Sequence, residues 1–462
     1  MAEQRVEFEQ GYPQAASALG ARERVTLRRA IEAYRFFYPV VSMDGILRGT
    51  RAVGAVDNKS APIVVAQPRH VGFTLNSDTP YMGGGLDLRD GPMVIELPPG
   101  PLVGLIDDHY HRWLVDLGLP GRNGPHGGTV LLLPPGHDTA ADAAVEDGVE
   151  VVRSDTYHVL VALRALPLGG DVDQATALLR SVRIHPQSDP SRSFTFLDCD
   201  DVAMDTTPLA WEDNLEYWRV LHSVIEAEPA VEEIRPMLGL LAELGIEHGK
   251  PFEPDARLTE MLTRAAATGR DEMLVSAFAS DRPDRMVWAD RTWEWVGLRP
   301  ENGTFERPDS LDVEAKDRWF AQAIVASPAM FRRDAGAGSL YWLGLRDRDG
   351  NYLDGGSAYR LRIPLPVPHS LFWSVTVYDT QTRSETDAPS QQAALRSLFD
   401  DLAPEGADHI DLYFSPDKPA GVEDGRWLQT VPGRGWFTYF RIYGPQAAAF
   451  DGSWKPADFE RL

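Results

Sequence analysis

The sequence predicts an α+β fold, mainly β, in three parts: an N-terminal β domain, a helical middle segment and a C-terminal antiparallel β-sandwich of jelly-roll type. Three observations carry this reading. Over residues 61–168, short apolar runs such as Met93 to Leu97, Val103 to Ile106 and Thr129 to Leu133 alternate with Gly- and Pro-rich turns, as in a meander of short strands. Over 169–335 the apolar spacing becomes helical. Over 336–462 the period of two returns, in SLYWLGLRDRDG, SLFWSVTVYD, HIDLYFSP and WFTYFRIYGP.

Residues 1–60 read as a helical lead-in, with Val25, Leu27, Ile31, Ala33, Tyr34 and Phe37 near helical spacing and Pro39 expected to end the run. Met43 to Val56 fits either a continuation or a turn. The β stretch closes with TYHVLVALRAL at 156–166. Helices are expected over 171–180, 211–228, 231–245, 256–268 and 311–334. In the second of these, Trp211, Leu215, Trp218, Leu221 and Ile225 form an apolar stripe, and His222 on that stripe reads as a packed histidine.

The 462 residues carry a formal charge of −24 with a pI near 4.8, which argues against a nucleic-acid binder. Cys199 is the single cysteine, so an internal disulfide and a multi-cysteine metal site are excluded. Its neighbours Asp198, Asp200 and Asp201 disfavour the thiolate, so it reads as structural rather than nucleophilic. The N-terminus lacks a secretory pattern and no run is long enough to span a bilayer, so a soluble cytoplasmic protein with no membrane partner is expected. The aromatic content and the sheet edges suggest a homo-oligomer.

Ionisable residues crowd one stretch, 72–136, and site residues are sought there. Asn76-Ser77-Asp78-Thr79-Pro80-Tyr81 fits a turn, because Asn and Asp side chains bond their own backbone and Pro80 pushes Thr79 out of helical geometry. It equally fits a cleft edge with Asn76 as acceptor, Asp78 as acid/base and Tyr81 as phenol donor. In Asp107-Asp-His-Tyr-His-Arg-Trp113, strand alternation would put Asp107, His109, His111 and Trp113 on one face and Asp108, Tyr110 and Arg112 on the other. Such a face suits a divalent metal on His109 and His111 with Asp78 or Asp107, a metal-free acid/base pair with Arg112 holding an anion, or a polar edge strand.

Gly121-Arg-Asn-Gly-Pro-His-Gly-Gly128 has no dinucleotide fingerprint and reads as a hairpin loop that would lie over the cleft. Asp347 to Asp354 lacks the twelfth-position Glu of a calcium loop and reads as a turn. Trp373, Tyr378, Arg383, Trp427, Trp436, Arg441, Tyr443 and Trp454 are either core or a ring-binding surface. No nucleotide or flavin motif, nucleophile elbow, P-loop or His-Glu-x-x-His element is present.

The block LNSDTPY, LDLRDGPMVIELPPG, DDHYHRWLVDLGLPG and GGTVLLLPPG resembles the bacterial family called domain of unknown function twelve-fifty-four. The block DRDGNYLDGGSAYRLRIPLPVPHSLFWSVTVYD, with FRIYGP and DGSWKPADF, looks like its companion, domain of unknown function twelve-fourteen. The resemblance implies the same three-part architecture but no activity. Its motif residues correspond to Asn76, Asp78, Thr79, Tyr81, Asp108, Arg112 and Asp116, whereas Gly121-Arg122-Asn123 departs from its Gly-Pro-Asp.

The functional expectation is a soluble enzyme acting on a small organic substrate, a secondary metabolite or xenobiotic. Hydrolysis or elimination would proceed by acid/base chemistry in a cleft of the N-terminal β domain. Asp78 or Asp108 would be the base, His109 its partner, Tyr81 the oxyanion donor and Arg112 the anion anchor, with Asn76, Thr79, Trp113 and Asp116 binding substrate. The alternatives are a non-catalytic small-molecule or carbohydrate-binding module, and a metal-dependent enzyme using His109 and His111.

Overall fold

The computed structural model describes residues 5–122, 124–137, 148–298, 303–336, 338–400, 402 and 406–462. It is α+β, with the β, helical and β parts in that order. The lead-in is one long helix, α1 (Ala15–Ala52), and Pro39 stands inside it instead of ending it. An interior proline costs about 3 kcal/mol. Here every residue from Phe37 to Leu47 is buried, and each large apolar side chain so buried returns roughly 1.5–3 kcal/mol. The helix lies so close to Met204–Asp205 that a Cβ on Gly49 would fall 2.2 Å from the Asp205 carbonyl oxygen.

The N-terminal β domain comprises β1 (Ser60–Val65), β2 (Pro80–Asp87), β3 (Met93–Leu97), β4 (Leu102–Asp108), β5 (Trp113–Gly118), β6 (Gly128–Leu133), β7 (Val149–Arg153) and β8 (His158–Ala165). Helix α2 (Val172–Arg180), capped by the Asp171 carboxylate, leads to β9 (Arg183–Pro186) and β10 (Thr195–Asp198). One sheet has the order β10-β1-β2-β8-β4-β5 and the other β7-β6-β3-β9. Met82, Ile95, Ile106, Leu132, Val161 and Leu163 belong to their shared core. Since side chains alternate along β8, Ala162 and Arg164 turn to the opposite face.

The middle segment holds α3 (Leu215–Ala227), capped by Asn214, then α4 (Arg235–Ala242) and α5 (Ala256–Phe278), capped by Asp255. With α1 they bury Tyr34, Phe37, Tyr38, Tyr217, Trp218 and Leu262. The single helix expected over 311–334 is two, separated by residues 321–327: α6 (Val313–Phe320) and α7 (Pro328–Phe331). Pro328 forces the preceding Ser327 to an extended φ of −144°, which interrupts the helix.

The C-terminal part has β11 (Glu294–Trp295), β12 (Ser339–Gly344), β13 (Tyr359–Pro364), β14 (His369–Asp379), β15 (Ala394–Arg396), β16 (His409–Ser415), β17 (Trp427–Gln429), β18 (Trp436–Pro445) and β19 (Glu460–Arg461). The sheet β11-β12-β18-β14-β15 is antiparallel throughout. The sheet β17-β16-β13-β19 has one parallel pair, β16 with β17. Trp342, Leu361, Trp373, Phe414, Trp436, Phe440 and Trp454 pack together in one core, so these tryptophans form no ring-binding surface. Along β18, Phe440 and Ile442 enter that core, while Tyr439, Arg441 and Tyr443 turn to the other face, toward the N-terminal domain.

Candidate functional site

The outer faces of the two large sheets meet across a cleft of about 650 Å³, in the range of a drug-sized ligand. β2, β4 and β8 supply Tyr81, Val103, Leu105, Ala162 and Arg164; β12 and β18 supply Tyr341, Tyr439, Arg441 and Tyr443. The broken-helix stretch completes the wall with Trp319, Ile324, Ser327 and Met330. The cleft thus lies between the N-terminal and C-terminal sheets, not within the N-terminal β domain alone.

Strand register places the polar groups. Arg164 stands directly opposite Tyr81 in the β8–β2 pair, its guanidinium carbon 5.6 Å from the ring centroid. Arg441 stands opposite Tyr341 in β12 and Ser374 in β14, and Tyr443 lies two residues along the same face. Arg441 donates to Thr376 Oγ1 at 2.9 Å, the Thr74 carbonyl at 3.0 Å and the Tyr378 hydroxyl at 2.7 Å.

Asp78 is fully buried behind this face. Its Oδ2 accepts from the hydroxyls of Ser374 at 2.7 Å and Tyr443 at 2.9 Å, while Oδ1 meets no donor. Tyr443 also lines the cleft, so it joins the cleft wall to a fully buried carboxylate. Burial and the Asp78 charge hold Tyr443 protonated against the opposing pull of Arg164 and Arg441. Nearby Glu385 is buried with neither oxygen hydrogen-bonded, and burial followed by the Asp78 charge pushes its carboxyl up to about 7.

The other predicted residues divide. Asn76 and Asp116 line the cleft beside Tyr81. Asn76 Oδ1 also accepts from the Asp78 N–H at 3.1 Å, as in the turn the sequence allowed. Burial pushes Asp116 up to about 6. Thr79 is buried beside Asp78 with its hydroxyl unpartnered. Trp113 lies off the cleft, in a separate shallow hollow with Arg122 and Val151. The Gly121–Gly128 loop contains Asn123, which lies outside the described residues. Its Pro125 carbonyl accepts from Gly100 N, tying the loop back to the 98–101 turn.

The 107–113 stretch is corrected. Strand β4 ends at Asp108 and β5 begins at Trp113, so residues 109–112 form the turn, with His111 at φ +60°. A tight turn abolishes the alternation that put His109 and His111 on one face. His111 Nδ1 instead donates to the Pro39 carbonyl at 2.8 Å, and burial lowers its pKa to about 4. Arg112 is no anion anchor in the cleft, because it pairs with Asp108 at 2.7 Å and Asp155 at 3.0 Å. The same pairing occupies Asp108, and neither residue is on the cleft wall.

His109 enters a different cluster. Its Nδ1 donates to Glu228 Oε1 at 2.7 Å and its Nε2 lies 3.5 Å from Asp44 Oδ1. Glu228 Oε1 also accepts from His158 Nδ1 at 2.6 Å, and His158 Nε2 accepts from Arg89 at 2.8 Å. Burial opposes ionisation of Glu228, yet the two histidine hydrogen bonds outweigh it and hold the carboxyl at about 2. Ligand atoms of His109, His158 and Glu228 lie within 4.8 Å of one another, so these three, and not His109 with His111, are the residues that would hold a divalent metal. Their present spacing suits shared protons: around a zinc with bonds of about 2.0–2.1 Å the donors would stand farther apart than 2.6–2.7 Å.

Arg164, Glu228, His158 and Glu385 escaped the sequence reading. One signal was available for Arg164, a lone charge in the otherwise apolar run HVLVALRA.

Among curated proteins none matches this chain. The crystal structure of the VPA0106 protein from Vibrio parahaemolyticus is similar, with a TM-score of 0.56 at 17% identity over 95% of this chain and 100% of that one. A putative uncharacterized protein from Burkholderia cenocepacia aligns at a TM-score of 0.39 and 13% identity, over 97% of this chain and 99% of that one. Among the described residues no helix is long and apolar enough to cross a membrane. Residues 63–186 match the model for the protein of unknown function DUF1254 and residues 338–447 that for the protein of unknown function DUF1214, so the chain carries this pair of domains, one in its N-terminal part and one in its C-terminal part.

Proposed function

We propose that this chain is a soluble, cytoplasmic enzyme that performs acid/base hydrolysis or elimination on a small organic molecule in the cleft between its two large sheets. The observation that carries this is Tyr443, a residue of the cleft wall whose hydroxyl donates to sealed Asp78 at 2.9 Å. A proton leaving the substrate, or an attacking water, passes to the Tyr443 oxygen while Tyr443's own proton passes to Asp78 Oδ2. No free phenolate need accumulate. Arg164 and Arg441 offset negative charge on that oxygen and on the substrate, and the Tyr81 hydroxyl donates to a developing oxyanion.

The test uses a panel of carboxylic esters, lactones and β-substituted acids. Tyr443→Phe and Asp78→Asn should each abolish turnover of any substrate found while leaving its binding intact. Undiminished turnover in both variants would sink the roles given to Tyr443 and Asp78, and binding without turnover across the whole panel would leave a non-catalytic binding module.

A further inference from the structure

Among the described residues three arginines are fully buried: Arg318, Arg383 and Arg441. Arg318 pairs with Glu294 at 2.8 Å and Arg383 with Glu212 at 2.7 Å, each inside the fold. Arg441, which lines the cleft, has no carboxylate within 4 Å among the described residues, and its Nε–H has no acceptor. Arg164, the cleft's second guanidinium, likewise pairs with no described carboxylate. A desolvated cation without a counter-ion is expensive, and proteins seldom keep one without a use. Buried Arg441 and half-buried Arg164 converge here on one cavity, from opposite sheets and within a cage of tyrosine rings: Tyr81 lies 5.6 Å from Arg164, while Tyr341 and Tyr439 lie 5.8 and 5.0 Å from Arg441.

We propose that Arg164 and Arg441 bind the head group of an organic monoanion, a carboxylate carried on an apolar body, which fills the rest of the cleft. The inference rests on the cleft being a small-molecule site and names the class of molecule it takes. The charge count selects a monoanion. Asp78 lies near enough to act on Arg441, so two positive charges less one leave a net single charge for the ligand to neutralise. In mildly acidic solution Glu385, at about 7, and the cleft's Asp116, at about 6, are both largely neutral, and Arg332 and Asp334 on the wall pair with each other at 3.3 Å, so none of them changes this count. The apolar body follows from the part of the lining formed by Val103, Leu105, Trp319, Ile324, Met330 and Leu371, whose one polar side-chain group, the Trp319 indole, already donates to the Val325 carbonyl; Asn76, Asp116 and Ser327 are polar residues elsewhere on the lining. A guanidinium recognises a carboxylate through two parallel N–H donors, so the head group would be fixed in orientation as well as in place.

Isothermal titration of the full chain with decanoate, 1-decanol and decyl phosphate tests this. Decanoate should bind about tenfold or more tightly than decanol, the worth of one charge-assisted hydrogen bond. Arg164→Gln should remove that preference without changing decanol binding, whereas Arg164→Lys, which keeps the charge, should retain most of it. A melting curve for each variant establishes that it is folded. Equal affinity for acid and alcohol, no decanoate binding at about 1 mM, or an undiminished preference in folded Arg164→Gln would overturn the proposal. Tighter binding of decyl phosphate above about pH 7, where it is mostly a dianion, would overturn the monoanion. Asp78→Asn separates this inference from the acid/base reading, because it should still bind decanoate. Bound decanoate with normal turnover in that variant would sink the acid/base reading alone.

Discussion

Arg164 and Tyr81 face each other across neighbouring antiparallel strands, with the guanidinium carbon 5.6 Å from the ring centroid and no described carboxylate within ion-pair reach. A tyrosine face attracts a cation, but by only about 0.5–2 kcal/mol, less than a paired carboxylate would give. The position therefore sacrifices stability for a charge in the cleft. Arg164→Met, which keeps the stem and drops the charge, is expected to melt at the same temperature as the parent or a few degrees higher while losing anion binding. Differential scanning calorimetry checks it, and a marked fall in melting temperature would mean that Arg164 is structural.

Tyr443 and Ser374 both donate to one oxygen of Asp78. Tyr443→Phe removes one of two donors to a buried carboxylate and should cost about 1–3 kcal/mol of stability in urea melts. If Tyr443 also relays the proton, kcat should fall about 10²-fold or more with KM little changed. A structural role alone would move the melt and spare kcat.

The His109–Glu228–His158 cluster carries a pH signature of definite sign. Glu228 is held at about 2, below its ordinary 4.5, so its contribution is complete above about pH 4.5 and is lost as pH falls toward 2. A gap of that size corresponds to about 3 kcal/mol. Glu228→Gln should destabilise the protein by that order near pH 7 and by progressively less in acid. Because both histidine protons already have an acceptor, dialysis against a chelator should leave the melting temperature of the parent unchanged. A fall on dialysis, restored by zinc, would show a metal in place of those protons.

The architecture was legible because it rests on local pattern: β8 and β18 announce themselves as short runs rich in β-branched or aromatic residues, and α3 by its apolar stripe. Pro39 misled because a local rule against proline in helices says nothing of the long buried run around it. His109 and His111 misled because alternation holds only within a strand, and a hairpin turn falls between them. Tyr81, Asn76 and Asp116 are in the cleft, but the groups that give it charge, Arg164 and Arg441, stand 277 positions apart in the chain. Only the packing of two sheets brings them to one cavity, and no local pattern encodes that meeting.

Glu385 makes the opposite prediction to Glu228. Both its oxygens are buried without a hydrogen bond, and burial together with the Asp78 charge raises its carboxyl from 4.5 to about 7. A raised carboxyl favours the protonated folded state. Folding is thus unpenalised below about pH 4.5 and loses stability as pH climbs through 7, by about 3 kcal/mol in full. Gln is isosteric and never ionises. Glu385→Gln should therefore raise the melting temperature near pH 8, with the gain shrinking toward zero near pH 4.5, and melts across that range measure it. A gain that does not depend on pH would mean that ionisation of Glu385 is not what strains the fold.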